Sequence, residues 1–169
     1  KYNLLYNLQY GFRSGYSTSH TLIHMTEKIR SALDVGKVTC GISIDLQKAF
    51  DTVNHEILLK KLEHYGFRGI INNWFRSYLC GRKQKVLING FQSKSLIMPH
   101  GVPQGSVLGP ILFLLYINDL HRCIQHSTTY HFADDTNLLN TSDNYKLLQK
   151  NVNKDLKSLM KWLTANKIS

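Results

Sequence analysis

Two adjacent carboxylates, Asp134 and Asp135, stand between Tyr130-His131-Phe132-Ala133 and Thr136-Asn137-Leu138-Leu139, two short apolar-rich runs that read as strands. Like charges on one tight turn repel, and apolar strands on both sides predict burial, a combination that disfavours the doubly charged pair unless a counter-ion is bound. A divalent cation removes the conflict, and all-oxygen donors suit Mg²⁺. The alternative is an exposed Asx-type turn with both side chains in water. Asp45 is a second acidic site. It ends Gly41-Ile42-Ser43-Ile44-Asp45, an alternating run that reads as a buried strand, where an unpaired charge is costly. A helix cap or an ion pair with Lys48 would also account for it. In a chain with only 11 Asp and Glu, two strand-associated acidic sites point to one shared cation cluster. Such a cluster orients phosphates and stabilises the attacking and leaving oxygens of an in-line displacement.

Other chemistries find less support. The eight histidines lack metal-ligand spacing and read as surface or packing residues. Cys40, Cys80 and Cys123 are odd in number and form no Cys-x-x-Cys pair, which argues against a disulfide framework or zinc knuckle and for a reducing, intracellular compartment. A carboxylate–metal phosphohydrolase or nuclease needs a further His or Glu beside the Asp pair, and His131 shares no evident face with Asp134. Charge is more telling: 21 Lys and Arg against 11 Asp and Glu give a formal +10, which favours a polyanionic partner, nucleic acid ahead of membrane. Lys146, Lys150, Lys154, Lys157 and Lys161 recur at helical spacing, either as a phosphate-facing stripe or as an ordinary solvated face. Arg82-Lys83-x-Lys85 is a shorter candidate for phosphate contact.

Periodicity and turn chemistry set the secondary structure around these groups. With 169 residues and 43% hydrophobic content the chain can bury one core, and no apolar run is long enough to cross a bilayer. The basic start Lys1-Tyr2-Asn3 leads into no signal-type stretch. Residues 20–35 read as a helix with Leu22, Thr26, Ile29 and Leu33 on one face and Gly36 as its stop. Residues 38–46 read as a strand. Asn54 caps a helix carrying Ile57, Leu58, Leu62 and Tyr65, closed by Gly66, and a short helix over about 70–80 carries Ile71, Trp74, Phe75 and Tyr78. Gln84 to Met98 splits at Asn89-Gly90, a two-residue hairpin signal. A turn-rich loop, Gly101 to Ser106, precedes an apolar helix from Val107 to about Leu120, and a last helix over about 143–165 buries Leu148, Val152, Leu156, Leu159 and Leu163. Strands and helices mix without regular alternation, which favours an α+β fold with an antiparallel sheet over a doubly wound one.

Three segments carry a family resemblance. Ser43-Ile44-Asp45-Leu46-Gln47-Lys48-Ala49-Phe50-Asp51 resembles motif A of reverse transcriptases, Gly101-Val102-Pro103-Gln104-Gly105-Ser106-Val107-Leu108-Gly109-Pro110 resembles motif B, and Phe132-Ala133-Asp134-Asp135 resembles motif C, in the family's order. Gln9-Tyr10-Gly11-Phe12-Arg13-Ser14-Gly15-Tyr16-Ser17-Thr18 is similar to the fingers-region signature shared with group II intron enzymes. The fuller wording, including Trp74-Phe75-Arg76-Ser77-Tyr78-Leu79 and Phe113-Leu114-Leu115-Tyr116-Ile117-Asn118-Asp119-Leu120, is similar to non-LTR (LINE-like) retrotransposon polymerases, the jockey-like group above all.

The resemblance implies a right-hand polymerase palm with partial fingers, its antiparallel sheet backed by helices. Residues 1–37 and about 53–100 would lie on the fingers side, and 38–52 and about 101–169 in the palm. It implies an RNA-directed DNA polymerase working by two-metal nucleotidyl transfer to a primer 3′-hydroxyl. Asp45, Asp134 and Asp135, with the Leu46 carbonyl, would hold two Mg²⁺ ions, with Mn²⁺ as an alternative ion. Phe50 falls on the steric-gate position that excludes a ribose 2′-hydroxyl, although core packing would equally explain an aromatic there. Gln104 and Gly105 would lie beside the incoming nucleotide, although a Gly-Pro turn before a helix is common. By the same resemblance Arg13 would contact nucleic acid, beside Arg82 and Lys83, the phosphate-contact candidates of the basic turn. The implied partners are an RNA template, a DNA primer and deoxynucleoside triphosphates, with no membrane, and a nuclear location if the element is eukaryotic. The family's first fingers segment and its thumb are expected to lie outside residues 1–169, so these residues alone are expected to polymerise little. The competing readings are a non-catalytic nucleic-acid-binding relic and a group II intron-type enzyme.

Overall fold

The computed structural model describes residues 4–168; Lys1, Tyr2 and Asn3 of the basic start, and Ser169, lie outside the described residues. In chain order the elements are α1 (Thr18–Asp34), β1 (Val38–Ile44), α2 (Ala49–Thr52), α3 (His55–His64), α4 (Ile70–Leu79), β2 (Lys83–Gln84), β3 (Leu87–Ile88), β4 (Phe91–Gln92), β5 (Leu96–Ile97), α5 (Leu108–Ile117), a 3₁₀ turn (Leu120–Cys123), β6 (Thr128–Phe132), β7 (Asp135–Ser142) and α6 (Tyr145–Ala165). This is the mixed helix and antiparallel-sheet class expected from the pattern. No helix among the described residues is long and apolar enough to cross a membrane. The chain divides into two compact units, residues 1–49 with 117–169, and residues 50–116.

The first unit is built on a three-stranded antiparallel sheet in the order β1-β7-β6. Strand alternation sends successive side chains to opposite faces, and each face has its own cover. Ile42, Ile44 and Leu138 pack with Leu120, Ile124, Leu156, Leu159 and Leu163 on the α6 side. Tyr130, Phe132 and Leu139 pack with Leu8, Tyr10, Met25 and Ile29 on the α1 side. Helix α6 starts where Asn144 accepts the Leu147 N–H at 2.9 Å, an N-cap that satisfies one orphan donor of the first turn. Helix α1 stops in a Schellman pattern: Gly36, at φ +70°, donates to the Leu33 carbonyl and Lys37 to that of Ala32, both at 2.9 Å.

The expected face of α1 is corrected. Leu22 and Leu33 are 62% and 61% exposed, while Thr21 and Ala32 are buried and Met25 and Ile29 join the core. The buried stripe is rotated by about one residue, because the smaller Thr21 and Ala32 let the helix lie close over the sheet.

In the second unit Asn54 caps α3 by accepting the Ile57 N–H at 3.1 Å, and Gly66 (φ +97°) ends the helix as expected. Leu58, Leu59 and Leu62 of α3 and Leu79 of α4 are buried. The apolar face expected for α4 is only partly covered: Phe75 and Tyr78 are half-buried, whereas Ile71 and Trp74 are more than half exposed. Asn89 (φ +49°) and Gly90 (φ +83°) make the two-residue turn of the β3–β4 hairpin, both with the positive φ that a type I′ turn requires. β2 pairs with β5 in a separate two-stranded ladder.

Candidate active site

Pairing of Phe132 with Asp135 leaves Ala133 and Asp134 as the two-residue loop between β6 and β7. Ala133 has φ +56°, a region normally left to glycine, so something must hold it there. That support comes from the segment Leu8–Gly11, which runs beside β6. Tyr10 N–H donates to the His131 carbonyl at 2.8 Å, His131 N–H donates to that of Leu8 at 2.9 Å, and the Gln9 side-chain oxygen accepts the Ala133 N–H at 3.1 Å. On the opposite face His131 is buried, its Nδ1 lying 2.9 Å from Thr136 Oγ1. Burial holds the His131 pKa down at about 4, with His121 adding to the effect.

β1 and β7 run antiparallel with Ile44 opposite Thr136. Asp45 is therefore the first residue past β1, and Asp135 the first residue of β7, at the same end of one strand pair. Directly opposed residues in such pairs have Cα atoms about 4.5–5.5 Å apart. The burial expected for these acids is corrected: Asp45 and Asp135 are exposed and Asp134 half-buried, because they stand past the apolar layers. Leu46, by contrast, is buried. The donor set available here is all oxygen, carboxylates plus a carbonyl, which fits hard divalent cations. Among the described residues, no three His, Cys, Asp or Glu side chains are already gathered as a metal-ligand set.

The segments that carry Phe50 and Gln104 are hydrogen-bonded to each other within the second unit. Val102 N–H donates to the Phe50 carbonyl at 2.9 Å, Gly101 N–H to that of Val53 at 2.8 Å, and Gln104 Nε2 to Asp51 Oδ1 at 2.9 Å. His55 Nε2 lies 2.7 Å from the Gly101 carbonyl, a buried contact that pins the loop. Gly101 has φ +86°, and a Cβ there would lie 3.0 Å from the Asp51 backbone, so only glycine allows this approach. The half-buried Phe50 ring stacks on Phe113, with centroids 4.5 Å apart. Gly105 is exposed at φ +79°.

The basic candidates differ in how they are engaged. Arg13 Nη1 donates to the Gln9 and Tyr6 carbonyls at 2.9 and 3.2 Å, and its guanidinium lies over the Tyr16 ring. Arg82 Nη1 is buried with no hydrogen-bond partner among the described residues, and Lys83 is exposed. All five lysines of α6 are exposed. Three residues without an expected role brace these segments, Gln9 in the first unit and Asp51 and His55 in the second. Gln9 and Asp51 stood inside recognised signatures, but only tertiary contacts reveal their hydrogen bonds. His55 carried no local signal beyond following a cap residue.

A family model described as "Reverse transcriptase (RNA-dependent DNA polymerase)" matches residues 1–169. The chain is 34% identical over 156 residues to the "Probable RNA-directed DNA polymerase from transposon BS" of Drosophila melanogaster, covering 88% of this chain and 16% of that protein. It is 29% identical over 138 residues to the "RNA-directed DNA polymerase from mobile element jockey" of the same fly, covering 78% and 15%. The chain thus spans about a sixth of the length of these relatives. Among solved structures, a telomerase from Candida albicans, determined with a TWJ fragment of telomeric RNA, matches with TM-score 0.67 at 17% identity. The match covers 90% of this chain and 30% of that one and shows a shared fold.

Proposed function

Since the chain belongs to the reverse transcriptase (RNA-dependent DNA polymerase) family, we propose that the protein carrying it is an RNA-directed DNA polymerase of a jockey-like non-LTR retrotransposon, and that these residues carry its catalytic carboxylates. The observation that supports this most is the strand register: Ile44 opposite Thr136 sets the Asp45 end of β1 beside the Asp135 end of β7.

The family uses divalent metal ions. In this reading Asp45, Asp134, Asp135 and the Leu46 carbonyl hold two Mg²⁺. When bound, the ions acidify the primer 3′-hydroxyl and neutralise charge on the triphosphate and departing pyrophosphate. The rest is done by the chain itself. Phe50, braced by Phe113, blocks the space of a ribose 2′-hydroxyl and so favours deoxynucleotides. Gln104, oriented by Asp51, lies with Gly105 against the incoming nucleotide. Arg82 and Lys83 contact nucleic-acid phosphates, and Arg13 stiffens the turn before α1 while offering its remaining donors to the template. The lysine stripe of α6 adds sequence-independent attraction for RNA. An RNA template, a DNA primer and deoxynucleoside triphosphates are the partners, and the nucleus of a eukaryotic host is the expected location.

The test is RNA-templated extension of a DNA primer by the full-length protein in Mg²⁺. Asp134→Asn is expected to lower kcat roughly a thousandfold, the scale of a lost metal ligand. Extension unaffected by either Asp45→Asn or Asp134→Asn overturns the assignment. RNA binding without extension by the unaltered protein identifies a relic, and strand nicking identifies a nuclease.

A further inference from the structure

We propose that Gln9 is a positioning residue: its buried side-chain amide sets the backbone of the Ala133–Asp134 turn, and through it the direction in which Asp134 and Asp135 are presented to metal. The inference rests on the metal-binding reading above.

Gln9 is 3% exposed, and a buried amide must find partners. Its Oε1 accepts two backbone N–H groups, from Gly11 at 2.8 Å and from Ala133 at 3.1 Å, while Nε2 faces the Ala133 carbonyl at 3.5 Å. One side chain thus ties together backbone segments 124 positions apart in sequence. Gly11 completes the grip, since a Cβ there would lie 2.2 Å from the Ala133 nitrogen, so any larger residue pushes the turn away. Ala133 needs this help. Its φ of +56° is one that L-residues rarely adopt, and no glycine in the turn supplies it. Asp134 follows directly, so a rotation of the 132–133 peptide swings both carboxylates. Misplacement by about 1 Å at a reacting centre costs about a hundredfold in rate.

Gln9→Met keeps the length and nearly the volume of the side chain but removes the acceptor. Gln9→Glu keeps acceptor oxygens. In the full-length protein three readouts apply: amide hydrogen exchange at Ala133 against residues 40–44 of β1, Mn²⁺ affinity by loss of the free-ion EPR signal, and kcat and KM in RNA-templated extension. Gln9→Met is expected to speed exchange at Ala133 about tenfold. It should weaken Mn²⁺ binding by a similar factor and lower kcat about a hundredfold, with KM for the nucleotide within about threefold and β1 still protected. Gln9→Glu should keep Ala133 protected and kcat within about tenfold of the unaltered protein. Gln9→Met that binds Mn²⁺ and extends normally overturns the inference alone. So does a loss shared equally by the β1 amides and not rescued by Gln9→Glu, because that marks a merely structural role. An unaltered protein that neither binds Mn²⁺ nor depends on Asp134 overturns the functional reading and this inference with it.

Discussion

Asp45, Asp134 and Asp135 are acids at strand ends, and the residues behind them set how firmly they are held. His131 lies directly under the turn, opposite Thr136 in the ladder, with the Tyr6 ring edge-on to it and Tyr6 itself stacked on His121. Burial lowers the pKa of both histidines, that of His131 to about 4. An unfolded histidine titrates near 6.5, so the unfolded chain takes up the proton first as pH falls. The stability that depends on neutral His131 is therefore complete above pH about 6.5 and is lost progressively toward pH 4, by up to about 3 kcal/mol. Thermal unfolding between pH 7.5 and 4 should show Tm falling across that window and a flatter profile for His131→Gln; coincident profiles contradict the prediction. Phe50 makes a second case at this scale. Phe50→Val should relax discrimination against ribonucleotides by roughly tenfold or more in competitive extension, whereas an unchanged ratio assigns the ring to packing on Phe113 alone.

The placement of the three aspartates at strand ends was legible in the sequence because apolar runs flank them. Their exposure was not, since local hydrophobicity says where a strand lies and nothing about where its sheet ends. Gln9 was legible only as part of a signature, because the group it grips is supplied by the far end of the chain.

Among the elements, the clearest signals came from turn chemistry. Asn89-Gly90, Gly36, Gly66 and the cap at Asn54 each act within a few residues, so the hairpin and helix ends follow from local rules. Helix faces were harder. Both Leu22/Leu33 and Thr21/Met25/Ile29/Ala32 run at helical spacing in α1, and the tertiary fit of small residues against the sheet selects the second. Helix α6 has no such ambiguity: Leu148 and Leu159 face the core and the five lysines face water. Leu159→Ala should cost about 2–5 kcal/mol in urea unfolding, and a loss well under that range would show the site to be poorly packed. Replacing Lys150, Lys154 and Lys157 together by Gln should weaken single-stranded RNA binding and reduce the slope of log K against log salt by about 2. An unchanged slope would make the stripe a solvated face.

For the whole molecule, the decisive feature is that the first unit is assembled from two distant stretches of chain. Residues up to 49 supply α1 and β1, and residues from 117 onward supply β6, β7 and α6. Only this long-range pairing brings the Asp45 end beside the Asp135 end, and no sequence window contains both. The composition already favoured a nucleic-acid partner, and the motif order implied that the acids would meet. The register of β1 on β7 is what sequence periodicity alone leaves open, because a one-residue slip would turn every side chain to the other face.

The most direct measurement is the paramagnetic broadening of backbone amide resonances during Mn²⁺ titration of the protein. If the strand-end acids form one divalent-metal site, broadening at low Mn²⁺ should centre on residues 44–46 and 133–136 together and vanish in Asp134→Asn. Broadening confined to one of these segments, centred elsewhere, or unchanged by Asp134→Asn would contradict a shared catalytic metal site.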